Sequence, residues 1–186
     1  MHDAPRLGPV LHDRDQIARR VAAVGADISE YYAGTVPVLV TVLKGATMFV
    51  SDLTRSLTTP HEIDFLALSA FGDGTTGVQA QVLKDLQIPV QGRDVLLVED
   101  VVDTGLTLRF LHRWLATHDP ASIEVVTLLD RPHRRLVDDE IRFRGFTVPD
   151  RFYVGYGFDY QQRFRNVPDL HELELDERAR ELLLPV

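Results

Sequence analysis

Two adjacent acids, Glu99 and Asp100, precede Asp103-Thr104-Gly105-Leu106-Thr107, a short run dense in backbone amides and hydroxyls with one glycine. Carboxylates accept hydrogen bonds from sugar hydroxyls. Small polar residues that open a helix offer unpaired amides to an anion. The two tendencies conflict, because the acids repel an anion held beside them. A ligand that carries both phosphate and sugar hydroxyls, with a divalent cation such as magnesium to offset the like charge, reconciles them. For an isolated Glu-Asp pair, a strand ending in a solvated acidic turn is the simpler reading. The ordered run of strand, two acids, Asp-Thr-Gly and helix argues against it.

The elements around these residues must hold them at one place. The valine-rich run Val95-Leu96-Leu97-Val98 reads as a buried strand. After the polar loop, Leu108, Leu111 and Leu115 fall on one helical face with Trp114 beside them. A second tip has the same layout: an apolar strand from Val36 to Leu43, then Lys44-Gly45, then a helix from Ala46 to Leu57. In open parallel sheets, ligands gather at strand C-termini. Two such tips in one chain therefore point to an anion site.

Upstream, residues 1–12 read as irregular, and Asp13 with Gln16 reads as a capping pair. Ile17, Val21, Val24 and Ile28 form one helical face, and Gly34 stops the helix. Ile63 to Phe71 is a strand. The following Gly72-Asp73-Gly74-Thr75-Thr76-Gly77 fits a dinucleotide fingerprint in letters only, since that fingerprint demands a helix next. Val78, Ala80 and Val82 alternate with Gln79 and Gln81 instead, which predicts a long hairpin. Ser122 to Leu129 is another strand, and Arg131 stands at its C-terminus; Arg134 and Arg135 read as a basic surface turn. Past Asp169, with Leu173, Leu175 and Leu182-Leu183-Leu184, a short charged structural helix is expected.

The totals bound the class. The chain has 186 residues, 45% apolar and 26% charged, which suits one folded domain. A net charge of −8 makes nucleic acid and anionic membranes poor partners. The absence of cysteine excludes disulfides and thiolate metal sites. No apolar run resembles a signal peptide or a membrane span, so a cytoplasmic setting is expected.

The stretch Glu99-Asp100-Val101-Val102-Asp103-Thr104-Gly105 closely resembles the phosphoribosyl-diphosphate loop of type I phosphoribosyltransferases, and its spelling is similar to the hypoxanthine-guanine branch. Val42-Leu43-Lys44-Gly45, followed by Met48-Phe49, resembles that family's pyrophosphate loop, where the peptide entering the lysine is often cis. The aromatic run from Phe152 to Tyr160 resembles its purine pocket. The likeness extends roughly from the first helix to Arg165. It implies an α/β fold: a Rossmann-like parallel sheet flanked by helices, with a small cap from the N- and C-terminal segments. As a single domain over 1–186, the core would span about 35–145, and the cap about 1–34 and 146–186.

The resemblance also implies roles. Thr104, Gly105, Leu106 and Thr107 would anchor a 5-phosphate, with Asp103 in the same loop; Glu99 and Asp100 would hold ribose hydroxyls and Mg2+. Lys44, Gly45 and Arg165 would bind pyrophosphate. Arg131, Phe152, Tyr153 and Asp159 would meet the purine, with Asp159 also holding a magnesium-bound water. Asp103 would accept a proton from N7 of the base, helped by negative neighbours that raise its pKa. The glycine-rich hairpin would be a lid that excludes water. The partners would be phosphoribosyl diphosphate and a 6-oxopurine base, in a homodimer or homotetramer, with no nucleic acid and no membrane.

Four residues depart from the family pattern. Ala70-Phe71 stands where most relatives carry Ser-Tyr, Arg131 replaces a lysine, and Tyr153 replaces an aliphatic residue. Arginine is not equivalent to lysine at a donor site. A xanthine-preferring transferase and a nucleotide- or RNA-binding regulator on the same fold therefore stand as alternatives.

Overall fold

The computed structural model describes residues 5–71, 79–137 and 139–174. In chain order the elements are β1 (Arg6–His12), α1 (Arg14–Tyr31), β2 (Val38–Leu43), α2 (Thr47–Ser56), β3 (Glu62–Phe71), β4 (Gln79–Lys84), β5 (Asp94–Val102), α3 (Leu106–Ala116), β6 (Ser122–Asp130), β7 (Phe143–Thr147), β8 (Tyr153–Val154) and β9 (Leu170–Glu174). A single 3-10 turn, Pro132–Arg134, follows β6.

Why the central strands read as unbroken apolar runs follows from the layers. β5 sends Leu96 and Val98 to one core and Val95 and Leu97 to another. The first core is completed by Ile17, Val21, Val24 and Ile28 of α1 with Phe49, Val50 and Leu53 of α2. The second is completed by Leu108, Leu111 and Leu115 of α3. A strand covered on both faces has no polar side to alternate. The periodicity read for α1 and α3 is therefore the buried stripe of each helix. Asp13 caps α1 as its spelling suggests: its side chain accepts from the Gln16 amide at 2.7 Å, and Gln16 Oε1 accepts from the Asp13 amide at 2.9 Å.

The main sheet has six strands in the order β4-β3-β2-β5-β6-β7. All neighbours are parallel except β3 and β4. From β2 the chain crosses through α2 to β3 on one side; from β5 it crosses through α3 to β6 on the other. The direction of winding thus reverses between β2 and β5, and a crevice opens at their C-terminal ends.

Two expectations fail at the termini. Residues 6–12 are not irregular but form β1, and Leu170–Glu174 is not helical but forms β9. These two pair antiparallel, and β9 also pairs with β8, giving a second, three-stranded sheet. The charged, leucine-bearing stretch past Asp169 reads locally as a helix, but pairing with β1 across the chain overrides that reading. The expected helix beyond Glu174, with Leu175 and Leu182-Leu183-Leu184, lies outside the described residues. So does the Gly72–Gly77 lid, although β3 and β4 are antiparallel on either side of it, as a hairpin requires.

Candidate active site

A cavity of about 360 Å³ opens at the reversal between β2 and β5. Its wall includes Val42, Leu43 and Gly45 from the first tip and Glu99 through Gly105, Thr107 and Leu108 from the second. Of the sequence candidates, it gathers Gly45, Glu99, Asp100, Asp103, Thr104, Gly105 and Thr107. Leu106 projects into solvent, and Lys44, Arg131, Phe152, Tyr153, Asp159 and Arg165 lie outside this wall.

At the second tip the chain turns from β5 into α3 through Gly105, whose φ of +83° is a backbone state that side-chain-bearing residues avoid. A Cβ there would also lie 2.8 Å from Val137 Cγ2. Leu136 donates its amide to the Thr104 carbonyl at 2.9 Å, fixing the loop from behind. The Leu106 amide is 3.4 Å from Thr104 Oγ1, and the first backbone bond of α3 runs from Arg109 to Gly105. Among the described residues the Thr107 and Leu108 amides have no acceptor, so a helix N-terminus faces the cavity with donors to spare.

Glu99 is buried, at 7% exposure, and its Oε1 has no hydrogen-bond partner. Burial, and then the neighbouring Asp100 charge, push its carboxyl well above the usual range. Asp100 is also raised by burial, opposed by the Val101 amide, its own amide and the Arg165 charge. A buried carboxylate oxygen without a partner is costly unless a ligand supplies one. The pair suits a magnesium ion shared with a substrate, since magnesium takes one or two carboxylates and fills its remaining positions with water and phosphate oxygens. Among the described residues no three acids or histidines cluster as a self-sufficient metal cage. Asp159 takes Arg165 Nη2 on one oxygen at 2.6 Å and the Gln162 amide on the other at 2.7 Å.

The first tip leans on the second. The Leu43–Lys44 peptide is cis. A Cβ on Gly45 would overlap Asp100 Oδ2, so any side chain there would have to push that carboxylate aside. Gly157, with φ of +97°, packs in turn against the Gly45 carbonyl, which brings the aromatic run to the same place. Arg165 donates Nη1 to the Gly157 carbonyl at 2.7 Å. Lys44 Nζ and Arg165 Nη2 both reach Gln162 Oε1, at 3.4 and 3.3 Å. Two cations thus converge on one neutral side chain beside the cavity. Gln162 was not singled out from the sequence, because no motif marks it.

Around the expected purine pocket, Phe152 is exposed and meets Tyr160 edge-on at 5.9 Å between ring centres. Tyr153 is buried, its hydroxyl donating to the Pro149 carbonyl at 2.9 Å, and burial pushes its pKa up to about 12. The surroundings of Asp103 differ from expectation. Its nearest charges are not acids but two guanidiniums: Arg131 Nη1 lies 3.5 Å from Oδ2, and Arg134 Nε lies 3.0 Å from Oδ1. Nor are Arg134 and Arg135 a solvated surface turn. Arg134 pairs with Asp103 and Asp150, and Arg135 pairs with the buried Asp130. A run of arginines looks alike in letters whether it faces water or carboxylates, so only the fold could reveal this.

A reversal crevice, a helix N-terminus with spare donors, paired acids and a converging lysine and arginine suit a ligand that carries both phosphate and hydroxyl groups. A model of the phosphoribosyl transferase domain matches residues 10–161. The chain belongs to the phosphoribosyltransferase family. It is 45% identical over 162 residues to the hypoxanthine phosphoribosyltransferase of Salmonella typhimurium, covering 86% of this chain and 91% of that one. It is 44% identical over 173 residues to the hypoxanthine-guanine phosphoribosyltransferase of Mycobacterium avium, covering 89% and 85%. Among solved structures it is similar to a hypoxanthine-guanine phosphoribosyltransferase from Bacillus anthracis, with a TM-score of 0.87, 35% identity and coverage of 92% and 100%.

Proposed function

We propose that this chain transfers the 5-phosphoribosyl group of phosphoribosyl diphosphate to N9 of hypoxanthine or guanine, giving IMP or GMP and pyrophosphate in purine salvage. One observation carries the proposal: the buried Glu99, its neighbour Asp100 and an open helix N-terminus share a single cavity at the reversal of the sheet. The names of the similar proteins support the choice of base.

In this reading the amides and hydroxyls of Thr104, Gly105, Leu106 and Thr107 hold the 5-phosphate. Glu99 and Asp100 accept from the ribose hydroxyls, and their charge favours the cationic ring that forms as pyrophosphate leaves. Lys44, with the Gly45 backbone, and Arg165 stabilise the departing pyrophosphate. Glu99 and Asp100, with Asp159 through a water, would hold a magnesium ion, which would supply further charge neutralisation. Phe152 stacks on the base, the Tyr153 backbone meets its edge, Arg131 donates to its 6-oxo group, and Asp103 accepts the N7 proton as N9 attacks. Self-association as a dimer or tetramer belongs to the same proposal.

Because Arg131 stands where selectivity is set, xanthine remains the competing base. Release of pyrophosphate measured with hypoxanthine, guanine, xanthine and adenine tests both readings. Turnover with hypoxanthine or guanine that exceeds xanthine at least tenfold is expected. A preference for xanthine, or no release with any base, contradicts the proposal.

A further inference from the structure

Asp150, just ahead of Phe152, has no role in the transfer described above, yet it holds two arginines that also reach Asp103 on the cavity wall. Its Oδ1 accepts from Arg131 Nη2 and, at 3.2 Å, from Arg134 Nη1. The same two guanidiniums reach Asp103 on their other side. Two acids and two arginines therefore alternate in a closed ring that ties the phosphate loop, the turn after β6 and the segment before β8.

The two acids are held unequally. Both arginines make hydrogen bonds to Asp150, and the bond from Arg134 foremost, with the Arg131 charge behind it, keeps that carboxyl below the usual carboxylate range. On Asp103 the Arg131 contact is long, at 3.5 Å, and Arg134 lies at ion-pair distance without an aligned hydrogen bond, so that Oδ1 has no hydrogen-bond partner. Asp103 lines the cavity, whereas Asp150 sits outside it and is half exposed. The ring is built to open at Asp103 and to hold at Asp150.

We propose that Asp150 is a positioning residue for base recognition: it keeps Arg131 and Arg134 in place when the incoming purine draws Asp103 away from them. This rests on the proposed transfer to a 6-oxopurine. A guanidinium has donors only. Once Arg131 Nη1 leaves Asp103, it can donate to the 6-oxo oxygen while Nη2 stays on Asp150, and the freed Asp103 oxygen faces N7–H. A 6-amino group offers Arg131 no comparable acceptor. Without Asp150 both arginines have Asp103 as their remaining carboxylate in the ring, and they compete with the base for it.

The test is steady-state kinetics of Asp150→Asn and Asp150→Glu beside the wild type, with each substrate varied. For Asp150→Asn the KM of hypoxanthine rises roughly tenfold, the scale of one charge-assisted hydrogen bond, while the KM of phosphoribosyl diphosphate stays within twofold. Asp150→Glu restores most of the base affinity, which a loss of general stability would not allow. Asp150 is half exposed, and an unchanged Tm checks that each variant is folded. If the wild type turns over but Asp150→Asn leaves the KM of the base unchanged, or raises both KM values together, the positioning role is wrong and the transfer stands. If the wild type releases no pyrophosphate with any 6-oxopurine, both fall.

Discussion

Glu99 is buried beside the partly buried Asp100, and one oxygen of Glu99 is left without a partner inside a folded chain. Such a group disfavours folding unless a ligand completes it, and that cost singles out the pair more sharply than its letters do. Asp103 was legible from its place before Thr104-Gly105, but its arginine neighbours were not, since they come from a turn that begins 28 residues further along. Asp103→Asn keeps the shape and removes the carboxylate that the proposed transfer uses as its proton acceptor; turnover is expected to fall by roughly two to four decades, measured as pyrophosphate release. Near-normal turnover would take Asp103 out of the chemistry. Gly45 was legible as a glycine at a strand end, while the reason for it, the Asp100 carboxylate in the space of a Cβ, lies in the neighbouring strand. Gly45→Ala must push that carboxylate aside. We expect at least a tenfold rise in the KM of phosphoribosyl diphosphate, the scale of one lost charged hydrogen bond. An unchanged KM in a folded variant would show that the two tips can separate without consequence.

Among the elements, those with strong periodicity were readable: α1, β2, α2, β5, α3 and β6 stand within a few residues of their expected bounds. β1 and β9 were not, because each is held by a partner more than 150 residues away. Nothing in Arg6-Leu7-Gly8-Pro9 announces a strand. A second hidden device is Asp64 on β3, buried at 4% exposure. It accepts from the Phe65, Gln87 and Ile88 amides at 2.7, 2.6 and 2.8 Å, with Lys84 at 3.4 Å, and so pins the segment after β4 to the sheet. Burial alone would raise its pKa, but the three amides and Lys84 outweigh it and hold the carboxyl below its ordinary value of 3.8. A depressed carboxylate contributes stability that is full above the unfolded value and is lost as pH falls through the folded one. Asp64→Asn should therefore cost about 1–3 kcal/mol near pH 7, a drop in Tm of roughly 2–12 °C. That deficit should shrink as the pH is taken below 3.8. A deficit that persists unchanged to pH 2 would mean the ionised carboxylate is not its source.

At the scale of the whole molecule, a chain of net charge −8 collects Lys44, Arg131, Arg134 and Arg165 around one acidic crevice. Opposed charges at close range suit a small, highly charged ligand with its own cation, and the overall charge disfavours a polyanion. Phosphoribosyl diphosphate with magnesium, at about 100 times its Kd, should raise Tm by roughly 5–10 °C. Single-stranded RNA at physiological salt should leave Tm and gel mobility unchanged; a shift with RNA and none with the sugar donor would favour the regulator. The reversal between β2 and β5 depends on strand order, which the sequence only implies through its alternation of strands and helices. The most direct measurement is a crystal structure of the chain soaked with phosphoribosyl diphosphate and magnesium. The expected result is a 5-phosphate within hydrogen-bond distance of the Thr104 to Thr107 amides and hydroxyls, with ribose hydroxyls on Glu99 and Asp100. A bound donor elsewhere, with that loop empty of any anion, would contradict it.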